Sequence, residues 1–298
     1  MKVPKQFKYI LLGLIILALV SIGYKGYVMS KNKDAFQADA SYRITYRYFF
    51  KTGEGDTFIK TYLPKNNVRQ QITAQKNTLP NTVQFSTVAE GANLRGNWIT
   101  QWENSYERVS NTFVFKGKDQ IFGLTPNFKV LPGDMQHYLA ATENIQVSAG
   151  PIAALASDLK QGSSSDKETV QALFRYVHQM PSAPIITLTD ALSALERNEA
   201  SCNGKSRLLV ALARNLGYPA RIKGGIILEP SNKRTSHAWT ELFINEAWVP
   251  FDALNGHFAY LPANYLELYE GDAFLVTHTP GIQFDYAYEI EKQETKTN

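Results

Sequence analysis

Hydrophobic and polar positions alternate with period two from residue 41. In SYRITYRYFF, Tyr42, Ile44, Tyr46, Tyr48 and Phe50 share one face, and Arg43, Thr45 and Arg47 share the other. Such alternation marks a half-buried strand whose aromatic stripe forms a core face. Lys51-Thr-Gly-Glu-Gly55 is a turn, and TFIKTYLP, VRQQITAQ, TVQFSTVAE, NWITQW and RVSNTFVFKG follow as further strands. The pattern predicts a small antiparallel β domain over 41–133. From 134 the period becomes helical. A helix begins at Pro151, with proline at its first position. A second follows Ser165, where Ser165 and Glu168 form a capping-box pattern and Val170, Leu173, Phe174 and Val177 share a face. A third follows Thr189 or Asp190. A fourth runs over 203–216, with Leu208, Leu209, Leu212 and Leu216 on one face, Arg207 and Arg214 on a polar face, and Gly217 and Pro219 ending it. Strands return in RIKGGIIL, HAWTELFI and WVPFDA. These elements place a second domain at 134–288, and EIEKQETKTN (289–298) reads as a polar tail.

Before the strands lies YILLGLIILALVSIGY, residues 9–24, a nearly uncharged apolar run. Lys2, Lys5 and Lys8 precede it, and Lys25, Lys31 and Lys33 follow it. A bilayer span needs about 20 apolar residues, and this run reaches that length if Lys25 snorkels. Residues 1–30 are therefore expected to be a transmembrane anchor, with 31–40 as linker and the remaining chain extracytoplasmic (periplasmic). A secretory signal cleaved near Ser21-Ile22-Gly23, releasing a secreted protein, is the alternative.

The 298-residue chain is 44% hydrophobic and carries a net charge of +4. No long Lys/Arg block appears in its body, so nucleic acid is not an expected partner. It has one cysteine, Cys202, so no internal disulfide and no CxxC metal or redox pair can form. The thiol is inert core, an intermolecular crosslink or a nucleophile. Its position at the front edge of the fourth helix favours the nucleophile. Unpaired N–H groups and the positive end of the helix dipole stabilise a thiolate there.

A thiolate nucleophile needs an imidazole base and a group that holds it. Of five histidines, His137 and His178 lie in helical segments, His278 lies near the tail, and His257 is a weak alternative. His237 begins a strand in SHAWTELFINEAWVPFDA. If Asn245-Glu246 is a two-residue hairpin loop, Asp252 faces Trp239, and His237 is the next residue on that face. Asp252 could instead cap the turn at Ala253-Leu254-Asn255-Gly256. A zinc site would lack a fourth ligand of suitable spacing, and there is no dense acidic run to build a calcium loop. No metal or cofactor is expected.

Three segments in order, SCNGKSRLLVALARNLGYPAR, SHAWTEL and WVPFDA, resemble the transglutaminase-like branch of the papain-type cysteine enzymes over roughly 150–265. The resemblance implies an α+β fold. Its papain-like transglutaminase core packs a cysteine-bearing helix on an antiparallel sheet, here preceded by the β domain and the N-terminal helix. It implies Cys202 as nucleophile, His237 as base and Asp252 as orienter. It implies a thioester acyl-enzyme on a protein or peptide substrate, resolved by water in a hydrolase or by an amine in a transamidase. Ala200 departs from the glycine that often stands there in the family. The upstream region also resembles the inactive transglutaminase domain of seven-helix membrane proteins. That likeness implies an alternative, a non-catalytic extracytoplasmic binding module partnering a membrane protein.

Overall fold

The computed structural model describes residues 36–101, 103–129, 133–184, 189–233 and 235–294. The expected anchor at 1–30 lies outside the described residues, as do linker residues 31–35. Among the described residues no helix is long and apolar enough to cross a membrane.

The first strands are β1 (Ala40–Lys51), β2 (Thr57–Leu63), β3 (Gln70–Thr78), β4 (Gln84–Glu90), β5 (Asn93–Thr100), β6 (Tyr106–Gly117) and β7 (Gln120–Ile121). A 3-10 turn, Gly133–Leu139, leads to four helices: α1 (Gly150–Gln161), α2 (Asp166–Gln179), α3 (Ala191–Arg197) and α4 (Cys202–Asn215). Then come β8 (Ala220–Ile227), β9 (Ser231–Lys233), β10 (His237–Ile244), β11 (Ala247–Asp252), β12 (His257–Phe258), β13 (Tyr260–Leu261), β14 (Tyr265–Glu270), β15 (Val276–His278) and β16 (Gln283–Lys292).

The caps work as the sequence pattern requires, with one variation. Ser165 Oγ accepts the Glu168 N–H at the head of α2, and Asp190 accepts the Ser193 N–H at the head of α3. The Glu168 carboxylate reaches back to Ser164 rather than Ser165, taking both its N–H and its hydroxyl. At the β10–β11 hairpin, Asn245 and Glu246 both have positive φ, 50° and 68°. That is the two-residue turn whose twist suits a hairpin, and it sets Ile244 opposite Ala247 and Thr240 opposite Phe251.

Two sheets form the β-rich part, in strand orders β3-β6-β1-β16-β9 and β15-β2-β5-β4. Tyr42, Ile44, Tyr46, Tyr48 and Phe50 of β1 are buried. Tyr48 meets Trp98 of the other sheet at a ring separation of 5.4 Å. The last strands return to this part of the chain: β16 pairs along β1 from Tyr42↔Lys292 to Lys51↔Gln283, and β15 pairs with β2. Residues 289–292, expected in the polar tail, are therefore strand, because β1 offers them an open backbone edge. From Ala38 onward the chain forms one compact unit.

The third sheet, in order β12-β11-β10-β8-β14, packs against α4. Leu208, Leu209 and Leu212 of α4 are buried, each stabilising the core by about 1.5–3 kcal/mol. The expected polar face of this helix is not a solvated one. Lys205, Ser206 and Arg207 are buried as well. The Arg207 guanidinium lies 2.8 Å from Asp272 and also donates to the Thr189 carbonyl. Helices α1, α2 and α3 pack around α4, so Lys205 and Arg207 are paired inside the protein, whereas Arg214 and Asn215 keep partial exposure.

Candidate active site

Cys202 is the first residue of α4, a 14-residue helix. It is 5% exposed and lines a cavity of about 250 Å³ with Ser182, Ala183, Ile227, Ser236, His237 and Leu254. The fold brings Cys202, His237 and Asp252 together. His237 Nε2 lies 2.7 Å from Asp252 Oδ2. With Nε2 taken by the carboxylate, Nδ1 is the ring nitrogen left for the thiol, and the two side chains are hydrogen-bond partners. The N–H groups of Ala238 and Asn203 also donate to the sulfur.

Electrostatics follow from that arrangement. Burial pushes the Cys202 thiol up, but the His237 hydrogen bond, the imidazolium charge and the two backbone N–H groups together hold it below its ordinary value. Burial pushes the His237 imidazole down. Its bonds to Asp252 and Cys202, and their negative charges, outweigh burial and raise it to about 9. Burial also opposes ionisation of Asp252, yet its bonds to His237, Tyr265 and Asn255 and the imidazolium charge keep it well below the usual carboxylate range. The three groups favour thiolate, imidazolium and carboxylate.

Asp252 makes both sets of contacts that the sequence leaves open. Oδ1 accepts the N–H groups of Leu254 and Asn255 at 3.0 and 3.2 Å, capping the turn. Oδ2 holds His237. Two further residues escaped the sequence reading. Tyr265 Oη donates to Asp252 Oδ2 at 2.7 Å, and Asn255 Nδ2 donates to the same oxygen at 2.8 Å and to Tyr265 Oη at 3.0 Å. Asn255 lies in the turn that Asp252 caps, a signal the sequence contained. Tyr265 arrives on β14, which joins this sheet beside β8, and no local pattern announces it.

The other four histidines make different contacts. His178 Nδ1 bonds the Ala253 carbonyl. His257 pairs with Asp252 in the strand register, but its ring packs on Tyr260 and Tyr265. His278 stacks near Phe284 on the β-rich part. His137 packs on Tyr138. Among the described residues no group of three His, Cys, Asp or Glu side chains could hold a metal ion. Trp239 and Phe251 are core, while Trp248 lies under the Arg221 guanidinium at 3.9 Å. Gly224 and Gly225 lie within β8. A Cβ on Gly225 would come 1.9 Å from the Leu266 carbonyl oxygen, so close strand packing is its reason.

Residues 153–253 match the family model described as transglutaminase-like superfamily. No curated protein matches the chain. Among solved structures, a "putative cysteine protease" from Cytophaga hutchinsonii superposes with a TM-score of 0.71 at 18% identity. The match covers 88% of this chain and 94% of that one, and the likeness is one of fold. The match to a "putative protease" from Parabacteroides distasonis covers 76% of this chain and 47% of that one at 11% identity, with a TM-score of 0.31.

Proposed function

We propose, for a chain whose residues 153–253 form a transglutaminase-like domain, that it is a thiol enzyme cleaving or exchanging amide bonds. The observation that carries this reading is the 2.7 Å bond from His237 to Asp252 beside a helix-tip thiol in an open cavity.

The chemistry follows from the three groups. The Cys202 thiolate attacks a peptide or carboxamide carbonyl carbon, and the C=O π electrons move to oxygen. The Cys202 N–H at the head of α4 stabilises that oxyanion. Collapse reforms the carbonyl and breaks the C–N bond, and the His237 imidazolium gives its proton to the departing amine. A thioester remains on Cys202. Water or a second amine then attacks it, with neutral His237 taking the proton, and the thiolate is released. Asp252 stays ionised throughout, holding the imidazole with Nδ1 toward sulfur. Hydrolysis and transamidation share every step but the last.

The test is iodoacetamide labelling of Cys202 in the full chain from pH 4 to 9, wild type against His237→Ala. Fast labelling well below pH 8, slowed at low pH by the alanine, supports the activated pair. Screens of peptide amides, with and without added amine, then separate hydrolase from transamidase. Slow labelling that rises only above pH 8 and ignores His237 would sink the enzyme reading. It would leave the cleft as a binding surface for a membrane-protein partner. Residues 9–24 support anchoring with the domain on the extracytoplasmic side. Carbonate extraction of membranes and protease protection in spheroplasts test that topology.

A further inference from the structure

The turn after Asp252 is held from two sides through one peptide unit. The Leu254 N–H donates to Asp252 Oδ1 at 3.0 Å. The carbonyl of the same peptide belongs to Ala253, a residue 5% exposed, and His178 Nδ1 lies 2.9 Å from its oxygen. Facing a carbonyl, Nδ1 carries the hydrogen and donates. A buried carbonyl needs such a partner. Because a trans peptide is planar, its C=O and N–H point in opposite directions. The imidazole of His178 and the carboxylate of Asp252 therefore grip opposite ends of one rigid plate. The plate cannot tilt away from Asp252 without straining the bond to His178. The other oxygen of that carboxylate, Oδ2, holds His237.

His178 is exposed, yet it is fixed. It lies in the last turn of α2, and its ring stacks on Phe174, one turn earlier, at 5.8 Å and 15°. Phe174 is buried and packs on Phe251, the residue before Asp252. Gly256, with φ of 76°, lies against the edge of the His178 ring, where a Cβ would come 3.1 Å from Cε1. The main chain of His178 is tied to the helix of the thiol. Lys205, one turn beyond Cys202 on α4, is 2% exposed. Its ammonium donates to the Met180 carbonyl at 2.7 Å and the His178 carbonyl at 3.3 Å. A buried ammonium is costly unless paired, and the carbonyls ending α2 pair it. His178 thus joins the two parts of the site. Its carbonyl is bound to the helix bearing Cys202, and its ring to the turn bearing Asp252.

We propose that His178 is a positioning residue for the Cys202, His237 and Asp252 site, orienting the Asp252 carboxylate through the Ala253–Leu254 peptide. The inference rests on Cys202 being the nucleophile. Without the Nδ1 donor the Ala253 carbonyl turns to find another partner and carries the Leu254 N–H off Oδ1. The carboxylate then rotates more freely, and the 2.7 Å alignment of Oδ2 with His237 Nε2 loosens. The imidazolium loses part of what favours it, and the thiolate loses part of its counter-ion. Tyr265 and Asn255 keep their bonds to Oδ2, so the effect is graded rather than complete.

The test moves the donor without removing polarity from an exposed helix end. In His178→Asn the side-chain amide nitrogen takes the place of Nδ1 and keeps the bond to Ala253. In His178→Gln it takes the place of Nε2, and the carbonyl loses its donor. Iodoacetamide labelling of Cys202 is followed from pH 4 to 9 in the full chain, wild type and both variants, with thermal midpoints beside it. His178→Gln is expected to label roughly three- to tenfold more slowly at pH 6.5, the fold-change of one neutral hydrogen bond, with its labelling midpoint moved up. His178→Asn is expected to restore the wild-type profile. A role in stability alone would lower the thermal midpoint of His178→Gln and leave its labelling profile unmoved, and that result overturns the proposal. So does His178→Asn labelling as slowly as His178→Gln, which would trace the effect to the ring rather than the donor. If the glutamine variant does not fold, His178→Phe, which keeps the stack on Phe174 and lacks a donor, is read in the same way. Slow wild-type labelling that ignores His237→Ala would sink the nucleophile and this proposal together. Fast wild-type labelling with an unmoved His178→Gln profile sinks this proposal alone.

Discussion

Replacing Asp252 by asparagine tests the electrostatic core of the site. The aspartate accepts five donors: two backbone N–H groups on Oδ1, and His237 Nε2, Asn255 Nδ2 and Tyr265 Oη on Oδ2. An amide has one acceptor oxygen. If its NH2 takes the Oδ1 position it faces two backbone N–H groups. If it takes the Oδ2 position it faces the imidazole and the amide of Asn255, and the ring must turn its lone pair outward. Nδ1 then carries the hydrogen and cannot accept the thiol proton. Each orientation strands a buried donor, at about 1–3 kcal/mol. The chemical effect is larger. His237 is raised from 6.5 to about 9, chiefly by its bond to Asp252, whereas burial acts downward. Without the carboxylate its two upward contributions are lost and only those of Cys202 remain against burial, a fall of about two pH units, or roughly 3 kcal/mol. Iodoacetamide labelling of Asp252→Asn at pH 6.5 is therefore expected to be about 100-fold slower or more, with its midpoint moved up by about two pH units. Labelling within threefold of wild type at an unchanged midpoint would refute the ion-pair argument. Urea unfolding adds a second reading. Asp252 lies below its ordinary value, so its contribution is present above pH ~4 and is lost as pH falls through its folded value. His237 lies above its ordinary value, so its contribution is full below pH 6.5 and is lost as pH rises through about 9. The stability gap between wild type and variant is expected to be widest between about pH 4 and 6.5.

Tyr265→Phe removes one donor from the ionised Asp252 and one acceptor from Asn255, at a residue that is itself 2% exposed. A hydrogen bond to a charged group contributes about 1.5–3 kcal/mol, and urea unfolding at pH 7 should show that loss, shrinking once Asp252 is protonated. An unchanged midpoint of denaturation would show that the phenol does not support the carboxylate. Gly225→Ala drives a Cβ to 1.9 Å from a backbone oxygen of β14, which no rotamer change relieves. It is expected to cost about 3 kcal/mol or more and to part β8 from β14. A thermal midpoint within about 2 °C of wild type would contradict that packing.

Local signals carried much of the fold. Proline, serine and aspartate at helix starts mark α1, α2 and α3, because a cap is a contact between residues three or four apart. The hairpin register that aligns His237 with Asp252 follows from a two-residue loop and a period of two. The lone thiol at a helix tip was legible for the same reason, since the helix end and its unpaired N–H groups are local. What the sequence could not supply was the partner of each buried polar group. Arg207 reads as a polar position of an amphipathic helix, yet it and Lys205 are interior, because three other helices close over α4. Asn255 and Tyr265 reach one carboxylate oxygen from a turn and from a separate strand. β16 finds β1 across most of the chain. The sequence by itself determined where helices and strands begin and which residue types could do nucleophilic chemistry, since those depend on near neighbours. Only the tertiary structure decided which groups share an oxygen, which cations are buried and which distant strands pair, since those depend on segments brought together by packing.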